Sequence, residues 1–163
     1  MNDDQISGGT TADMESAIVY AQKFLEDLLS FLGLNTVVHA THDDDVIQLN
    51  IPSTQMNGFL IGAHGDTMRS MQLLTSSALK SQGYAYSRVN VDVAGYKQQR
   101  ASHLSDTAEA WVKRVKETGE PMELQPMNAA DRRVIHQLAS DRGLTTESIG
   151  EGRDRHIILK PAA

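Results

Sequence analysis

The most informative segment of this 163-residue chain is the run Ile61-Gly62-Ala63-His64-Gly65-Asp66-Thr67-Met68-Arg69-Ser70-Met71-Gln72. Its two glycines enclose two other residues between two predicted helices. Glycine adopts backbone conformations that other residues avoid, and it lets another chain approach closely. The second helix starts at once, with Asp66 as its expected N-cap, so its free N–H groups and dipole face the turn. Such a turn can cradle a phosphodiester backbone or can simply join two helices, and these residues alone do not distinguish the two.

The apolar pattern around this turn predicts one mixed unit over residues 13–95, preceded by a polar, disordered N-terminus over residues 1–12. In the second strand, Ile47, Leu49 and Ile51 share one face. In the helix after the turn, the predicted apolar side is Met68, Met71, Leu74, Ala78 and Leu79. The predicted order is helix, strand, strand, short helix, helix and strand, over residues 13–32, 36–40, 46–51, 58–61, 66–82 and 88–93.

A second unit is predicted from residue 96 to residue 163, after a boundary at Gly95. Asn128 is a good helix cap, with Asp131 three residues on in a position typical of a capping box. Arg132 and His136 lie four residues apart on that helix and are expected to point mainly outward. The predicted order is helix, extended segment, helix, strand and strand, over residues 96–118, 121–124, 128–142, 145–149 and 156–159.

Composition and charge limit the function classes. The chain has no cysteine, which excludes disulfides, thiol nucleophiles and cysteine-bound metal sites and is typical of a reducing compartment. The net charge of −6 is uneven, because residues 1–50 hold one basic and nine acidic residues whereas residues 62–116 hold eight basic and four acidic ones. This distribution permits nucleic-acid binding. With no apolar run near ~20 residues and no signal sequence, we predict a cytoplasmic protein without a membrane span.

Motifs for catalysis are missing from the sequence. There is no Gly-x-Ser-x-Gly turn, no Walker loop and no helix-borne histidine pair for zinc. His39 and His42 stand beside the acidic residues 43–45, but on an extended strand positions 39 and 42 face opposite ways. A solvated hairpin turn explains them better than a metal site. We therefore predict a protein that is not an enzyme, with no catalytic residues, no metal and no cofactor.

The order of elements in the first unit, with Gly-x-x-Gly between paired helices, resembles a type II KH domain. The run 61–72 closely resembles the KH region of the bacterial Jag family, also called KhpB, EloR or SpoIIIJ-associated proteins. The two residues between the glycines are usually basic in that family, whereas this chain has Ala63 and His64. The resemblance implies that this region binds nucleic acid through Ile61, Gly62, Ala63, His64, Gly65 and Arg69.

The second unit resembles the R-3-H domain of the same family, which is named for its Arg-x-x-x-His motif and binds single-stranded nucleic acid. The match rests on residues 120–128, on the run Asp131 to His136 and on the strand entry Arg153-Asp154-Arg155-His156. It implies that Arg132, His136 and Arg155 bind nucleic acid. Together the two resemblances cover about residues 35–160.

The resemblance implies an α+β fold, in which a type II KH domain is followed by a small α/β R-3-H domain. It also implies an RNA-binding regulator, acting after transcription and tied to the bacterial cell envelope, elongation or division. The implied partners are single-stranded RNA, with single-stranded DNA left open, and a small KH-only protein. The alternative is a protein–protein adaptor that keeps this fold with little nucleic-acid affinity, which the acidic total and the two non-basic turn residues favour.

Overall fold

The computed structural model describes residues 11–162, which form a mixed α+β fold. The chain divides into two compact units between Tyr96 and Lys97, and the predicted boundary lies one residue before this division. Of the predicted disordered N-terminus, residues 1–10 lie outside the described residues, and residues 11 and 12 are wrong because they belong to the first helix. The elements are α1 Thr11–Phe31, β1 His39–Asp43, β2 Val46–Ile51, α2 Asn57–Ile61, α3 Asp66–Ser81, β3 Arg88–Val93, α4 Tyr96–Thr118, β4 Met122–Glu123, α5 Ala129–Asp141, β5 Thr145–Ile149 and β6 His156–Lys160.

The first unit is a three-stranded sheet in the order β1-β2-β3, with α1 and α3 packed together in the same unit. The pair β1–β2 is antiparallel and the pair β2–β3 is parallel, so α2 and α3 form the crossover that a parallel pair requires. Ile47, Leu49 and Ile51 are buried, which confirms the predicted inner face of β2. The turn between α2 and α3 therefore lies on the crossover that leaves the end of β2.

Three local predictions for the first unit are wrong. Helix α1 begins at Thr11, two residues before the predicted start. Strand β1 begins at His39 and not at residue 36, because the backbone N–H of buried Val38 donates to Glu26 Oε1 at 2.9 Å. On α3, Leu74 is half exposed and Thr75 is buried in its place. Thr75 can be buried because its hydroxyl donates to the Met71 carbonyl at 2.8 Å.

The second unit is an antiparallel sheet in the order β4-β6-β5, so the strand that comes last in the sequence lies at its centre. Ile157 and Leu159 of β6 are fully buried in one cluster with residues of α4 and α5. On α4, Val112 is buried in this cluster, whereas Trp111 is only partly buried. None of the helices in residues 11–162 combines the length and apolar character that a membrane span requires.

Two charged contacts join α4 to α5. Asp131 is 4% exposed, and its carboxylate accepts from Arg100 Nη2 at 2.9 Å. At the other end of α5, Arg142 pairs with Glu109, and the hydrogen bond and charge of Glu109 raise the pKa of the Arg142 guanidinium. The first contact lies in the first turn of α5, one residue before Arg132.

Asn128 caps α5 as predicted, because its Oδ1 accepts from the Asp131 backbone N–H at 2.9 Å. Replacing it with alanine leaves that N–H without its side-chain acceptor. We expect Asn128→Ala to lower the free energy of unfolding of the second unit by about 1 kcal/mol. Urea unfolding followed by tryptophan fluorescence measures this, with Asn128→Asp as the control that keeps the cap. Equal loss in both variants would contradict the capping role.

Candidate nucleic-acid interface

The turn from Gly62 to Gly65 depends on glycine at its first position. Gly62 has φ 71° and ψ −175°, a region that is essentially restricted to glycine. A Cβ on Gly62 would lie 2.2 Å from Thr67 Oγ1 and 2.8 Å from the Thr67 backbone nitrogen. The start of α3 therefore packs directly on the backbone of Gly62.

His64 and Gly65 have left-handed backbones, and the two residues between the glycines are open to solvent. His64 has φ 51° and ψ 28°, and Gly65 has φ 82° and ψ 16°. Ala63 and His64 are exposed, whereas Gly65 is buried against the ring of Tyr96. The two residues between the glycines are thus presented on a backbone held from both sides.

Arg69 closes this turn from α3. Its Nη1 donates to the His64 carbonyl at 3.0 Å, and its Nη2 pairs with Asp66. The predicted capping role of Asp66 is wrong, because the N-cap of α3 is Gly65 and Asp66 lies within the first helical turn. The charge of Arg69 is therefore shared with a neighbouring carboxylate.

Apolar residues precede the turn on α2. Ile61 is half buried and packs against the core of the first unit. Phe59, in the same short helix, is 57% exposed. The sequence analysis did not select Phe59, and an aromatic residue three positions before a Gly-x-x-Gly turn is the signal that could have found it.

In the second unit, Arg132 and His136 do not point mainly outward as predicted. Both are half buried. Arg132 Nη1 donates to the Met127 carbonyl at 2.7 Å, and His136 Nδ1 lies 2.6 Å from Thr146 Oγ1. These two side chains therefore bind the segment before α5 and strand β5.

Arg155 lies beside the same two elements. Its Nε donates to Ser148 Oγ at 3.1 Å, and its carbonyl accepts from the Met127 N–H, also at 3.1 Å. Met127 thus contacts Arg132 through its carbonyl and Arg155 through its N–H. The structure brings all three predicted residues of this unit around Met127 and β5.

Two hydroxyl residues complete this cluster and were missed in the sequence. Thr146 and Ser148 alternate along β5 and pair with the buried residues Leu159 and Ile157 of β6, so both lie on the helix-covered face of the sheet. They contact His136 and Arg155 respectively. Two hydroxyls at alternate positions of a strand after an Arg-x-x-x-His helix are the signal that could have found them.

Further cations lie in the same part of the sequence. Arg133 and Arg153 are exposed, and neither makes an ion pair within residues 11–162. They are chain neighbours or near neighbours of Arg132 and Arg155. Within the same described residues, no group of three or more His, Asp or Glu side chains is placed to hold a metal ion. The cluster suits an anionic ligand held by guanidinium and hydroxyl donors.

Comparison with known proteins agrees with this arrangement. Residues 102–161 match the family model of the R-3-H domain. The chain is 33% identical over 145 residues to the RNA-binding protein KhpB of Bacillus subtilis, covering 87% of this chain and 69% of that protein. It is 30% identical over 141 residues to KhpB of Clostridium symbiosum, covering 85% of this chain and 64% of that one.

A third relative is the RNA-binding protein KhpB of Lactiplantibacillus plantarum, which is 32% identical over 143 residues. The match covers 87% of this chain but 44% of that protein, so the relatives differ widely in how much of their length it spans. A match to 87% of the chain has to include the Gly62–Gly65 turn and the helix that carries Arg132 and His136. The chain therefore belongs to the KhpB family, also called the Jag family.

Proposed function

We propose that this chain binds single-stranded RNA at two sites, the Gly62–Gly65 turn of a type II KH-like unit and the Arg132–His136–Arg155 cluster of the R-3-H unit. The observation that carries the proposal is the convergence of these three side chains around Met127 and β5. The relatives with which the chain shares this region are named RNA-binding proteins. The alternative is a protein–protein adaptor without RNA affinity, and the experiment below distinguishes the two.

The cluster around Met127 supplies donors for phosphate. Arg132 donates one hydrogen bond from its guanidinium to the Met127 carbonyl, and Arg155 donates one to the Ser148 hydroxyl. A guanidinium has five donors in a planar fork, so each arginine keeps donors for a phosphate oxygen. His136 is held by Thr146 and adds a ring that binds phosphate or stacks on a base. The side chains of Arg132 and Arg155 are therefore already held in place before RNA binds.

The glycine turn contributes in a different way. Ala63 carries no charge, and Asp66 shares the charge of Arg69. Phosphate binding there rests on backbone N–H groups and on close approach to glycine, with little counterion release. We propose that this site positions the strand and that the Arg132–Arg155 cluster supplies most of the salt-dependent affinity. Two sites on one chain raise the overall affinity without any new contact.

The finer roles are also part of the proposal. We place this protein in the cytoplasm, as an RNA-binding regulator that acts after transcription. A role in envelope maintenance, elongation or division, and pairing with a small KH-only protein, stay predictions from the resemblance to the family. No catalytic step is proposed.

The test is fluorescence anisotropy of a labelled, degenerate single-stranded RNA pool at low and at physiological salt. We expect saturable binding that salt weakens, and a loss of at least about tenfold in Arg132→Ala/Arg155→Ala. The slope of log Kd against log salt should fall by about 1.4, because each of the two phosphate contacts removed contributes about 0.7 on a single strand. Arg155→Ala alone, at an exposed side chain, should give about half of that change in slope.

The matched control is Arg88→Ala, which removes one positive charge from an exposed ion pair with Asp45. Arg88 begins β3, parallel to β2, so it lies at the opposite end of that sheet from the Gly62–Gly65 turn. We expect its affinity to stay within twofold of the parent protein. No binding by the parent protein even at low salt would overturn the proposal and favour the adaptor.

A further inference from the structure

A groove of about 700 Å³ lies in the second unit, between the last turns of α4 and residues 119–125. Trp111, Arg114 and Met122 are among its lining residues. This volume is within the range of small-molecule and cofactor sites, which are mostly apolar with a few polar groups. None of the residues proposed above to bind RNA lines it.

Trp111 gives the groove an aromatic wall. Val112, its neighbour on α4, is buried in the core, and Trp111 is only partly buried. One part of the indole packs on the core of the second unit while the ring also lines the groove. A ring fixed in this way loses little conformational entropy when a flat partner stacks on it.

The charges at the groove suit an uncharged, flat ligand group. Arg114 and Glu120 are both exposed and carry opposite charges. Arg114 makes no ion pair within residues 11–162. The third charged lining residue, Glu123, has its Oε1 2.8 Å from His156 Nε2. A phosphate would meet Glu120, whereas a nucleobase can stack on the indole and accept from the guanidinium.

The groove is continuous in sequence with the proposed RNA site. Residues 120–125 line it, and Met127, two residues later, binds Arg132 and Arg155. Two residues span at most ~7 Å of extended chain. The Gln125 end of the groove therefore lies close to Met127, so an RNA strand held by the two arginines can reach it.

We propose that this groove binds one base of a single-stranded RNA, stacked on Trp111, with Arg114 contacting that base or its neighbouring phosphate. The inference rests on the proposed function and adds a base-binding position to it. It also predicts that the R-3-H unit of this chain contacts more nucleotides of the RNA than its Arg-x-x-x-His motif alone would contact.

The chain offers its own probe, because Trp111 is its only tryptophan. We would titrate the whole protein with an unlabelled oligouridylate of about twelve nucleotides, within the site sizes known for single-strand binders, and record tryptophan emission. The same oligomer with a fluorescent label gives the anisotropy curve. We expect saturable quenching of Trp111 with the same midpoint as the anisotropy.

Adjacent residues of α4 provide a matched pair of variants. Arg114→Ala removes a charge that lines the groove, and Lys113→Ala removes the same charge from an exposed side chain paired with Glu117. We expect Arg114→Ala to weaken binding at least threefold and Lys113→Ala to stay within twofold. Trp111→Leu should cost about tenfold and Trp111→Phe less, since stacking on one aromatic ring contributes about 1–3 kcal/mol per base.

The outcomes separate this inference from the proposed function. Binding by anisotropy with unchanged Trp111 emission, and with Trp111→Leu and Arg114→Ala at parent affinity, would overturn the base site and leave the RNA-binding proposal standing. It would also make a protein segment the better occupant of the groove. No anisotropy change at low salt would overturn both proposals together. Urea unfolding of Arg114→Ala checks that its loss of affinity is not a loss of fold.

Discussion

Gly62→Ala is expected to lower the free energy of unfolding of the first unit by at least about 2 kcal/mol. The backbone of Gly62 lies in a region that costs other residues about 1–3 kcal/mol. The new Cβ would also lie 2.8 Å from the backbone nitrogen of Thr67, so α3 must shift to admit it. Amide hydrogen exchange of the buried strand residues Leu49 and Val91 measures the effect within the whole chain.

Gly58→Ala is the control on the helix that leads into the turn. A Cβ there meets no atom within 4 Å, and the residue lies inside α2. We expect it to raise the free energy of unfolding by about 0.5–1 kcal/mol, because alanine favours a helix over glycine. Equal destabilisation by the two variants would contradict the argument from the geometry of Gly62.

Asp131→Ala is expected to lower the free energy of unfolding of the second unit by about 2–3 kcal/mol. Breaking a buried ion pair costs about 3–5 kcal/mol, and the partner Arg100 keeps 31% of its side chain exposed, so we place the effect below that range. Urea unfolding followed by Trp111 emission measures the stability of the second unit directly, because Trp111 lies in that unit. Because Asp131 precedes Arg132, we also expect weaker RNA binding in this variant.

Two controls test whether burial of the charge causes the loss. Glu147→Ala removes a carboxylate from an exposed pair with Lys160, and we expect a change within about 0.5 kcal/mol. The double variant Arg100→Met/Asp131→Leu removes both charges and should recover part of the stability. A double variant less stable than Asp131→Ala would show that packing around the pair, and not the unpaired charge, sets the cost.

Most elements could be predicted from the sequence because their signals are local. The alternation in β2 and β3 and the glycines that end α3 and α4 place these elements within a residue or two. Residues 36–38 were misassigned because a side chain of α1, Glu26, takes the N–H of Val38. That bond joins positions 12 residues apart, so the pattern of apolar residues around 36–38 does not predict it. The burial of Thr75 in place of Leu74 has a local cause, because the Thr75 hydroxyl donates to the Met71 carbonyl four residues earlier.

The proposed RNA sites were only partly predictable. The glycine turn was recognisable because glycine at positions 62 and 65 is itself the structural requirement. Helical periodicity places Arg132 and His136 on one face but does not reveal what packs against that face. Thr146 contacts His136 only after β5 has folded back on α5, and Ser148 contacts Arg155 only once β5 and β6 are in place. The groove at Trp111 depends likewise on contacts that form between distant segments.

The position of β6 at the centre of the second sheet has a consequence for synthesis on the ribosome. The outer strands β4 and β5 each pair with β6, so neither has a partner until residues 156–160 have left the exit tunnel. Until then the segment at Met127 lacks its bond to Arg155. A chain released without residues 156–160 would therefore expose the unpaired edges of β4 and β5 to chaperones and proteases. Quality control would act on this protein late, after its first unit has had time to fold.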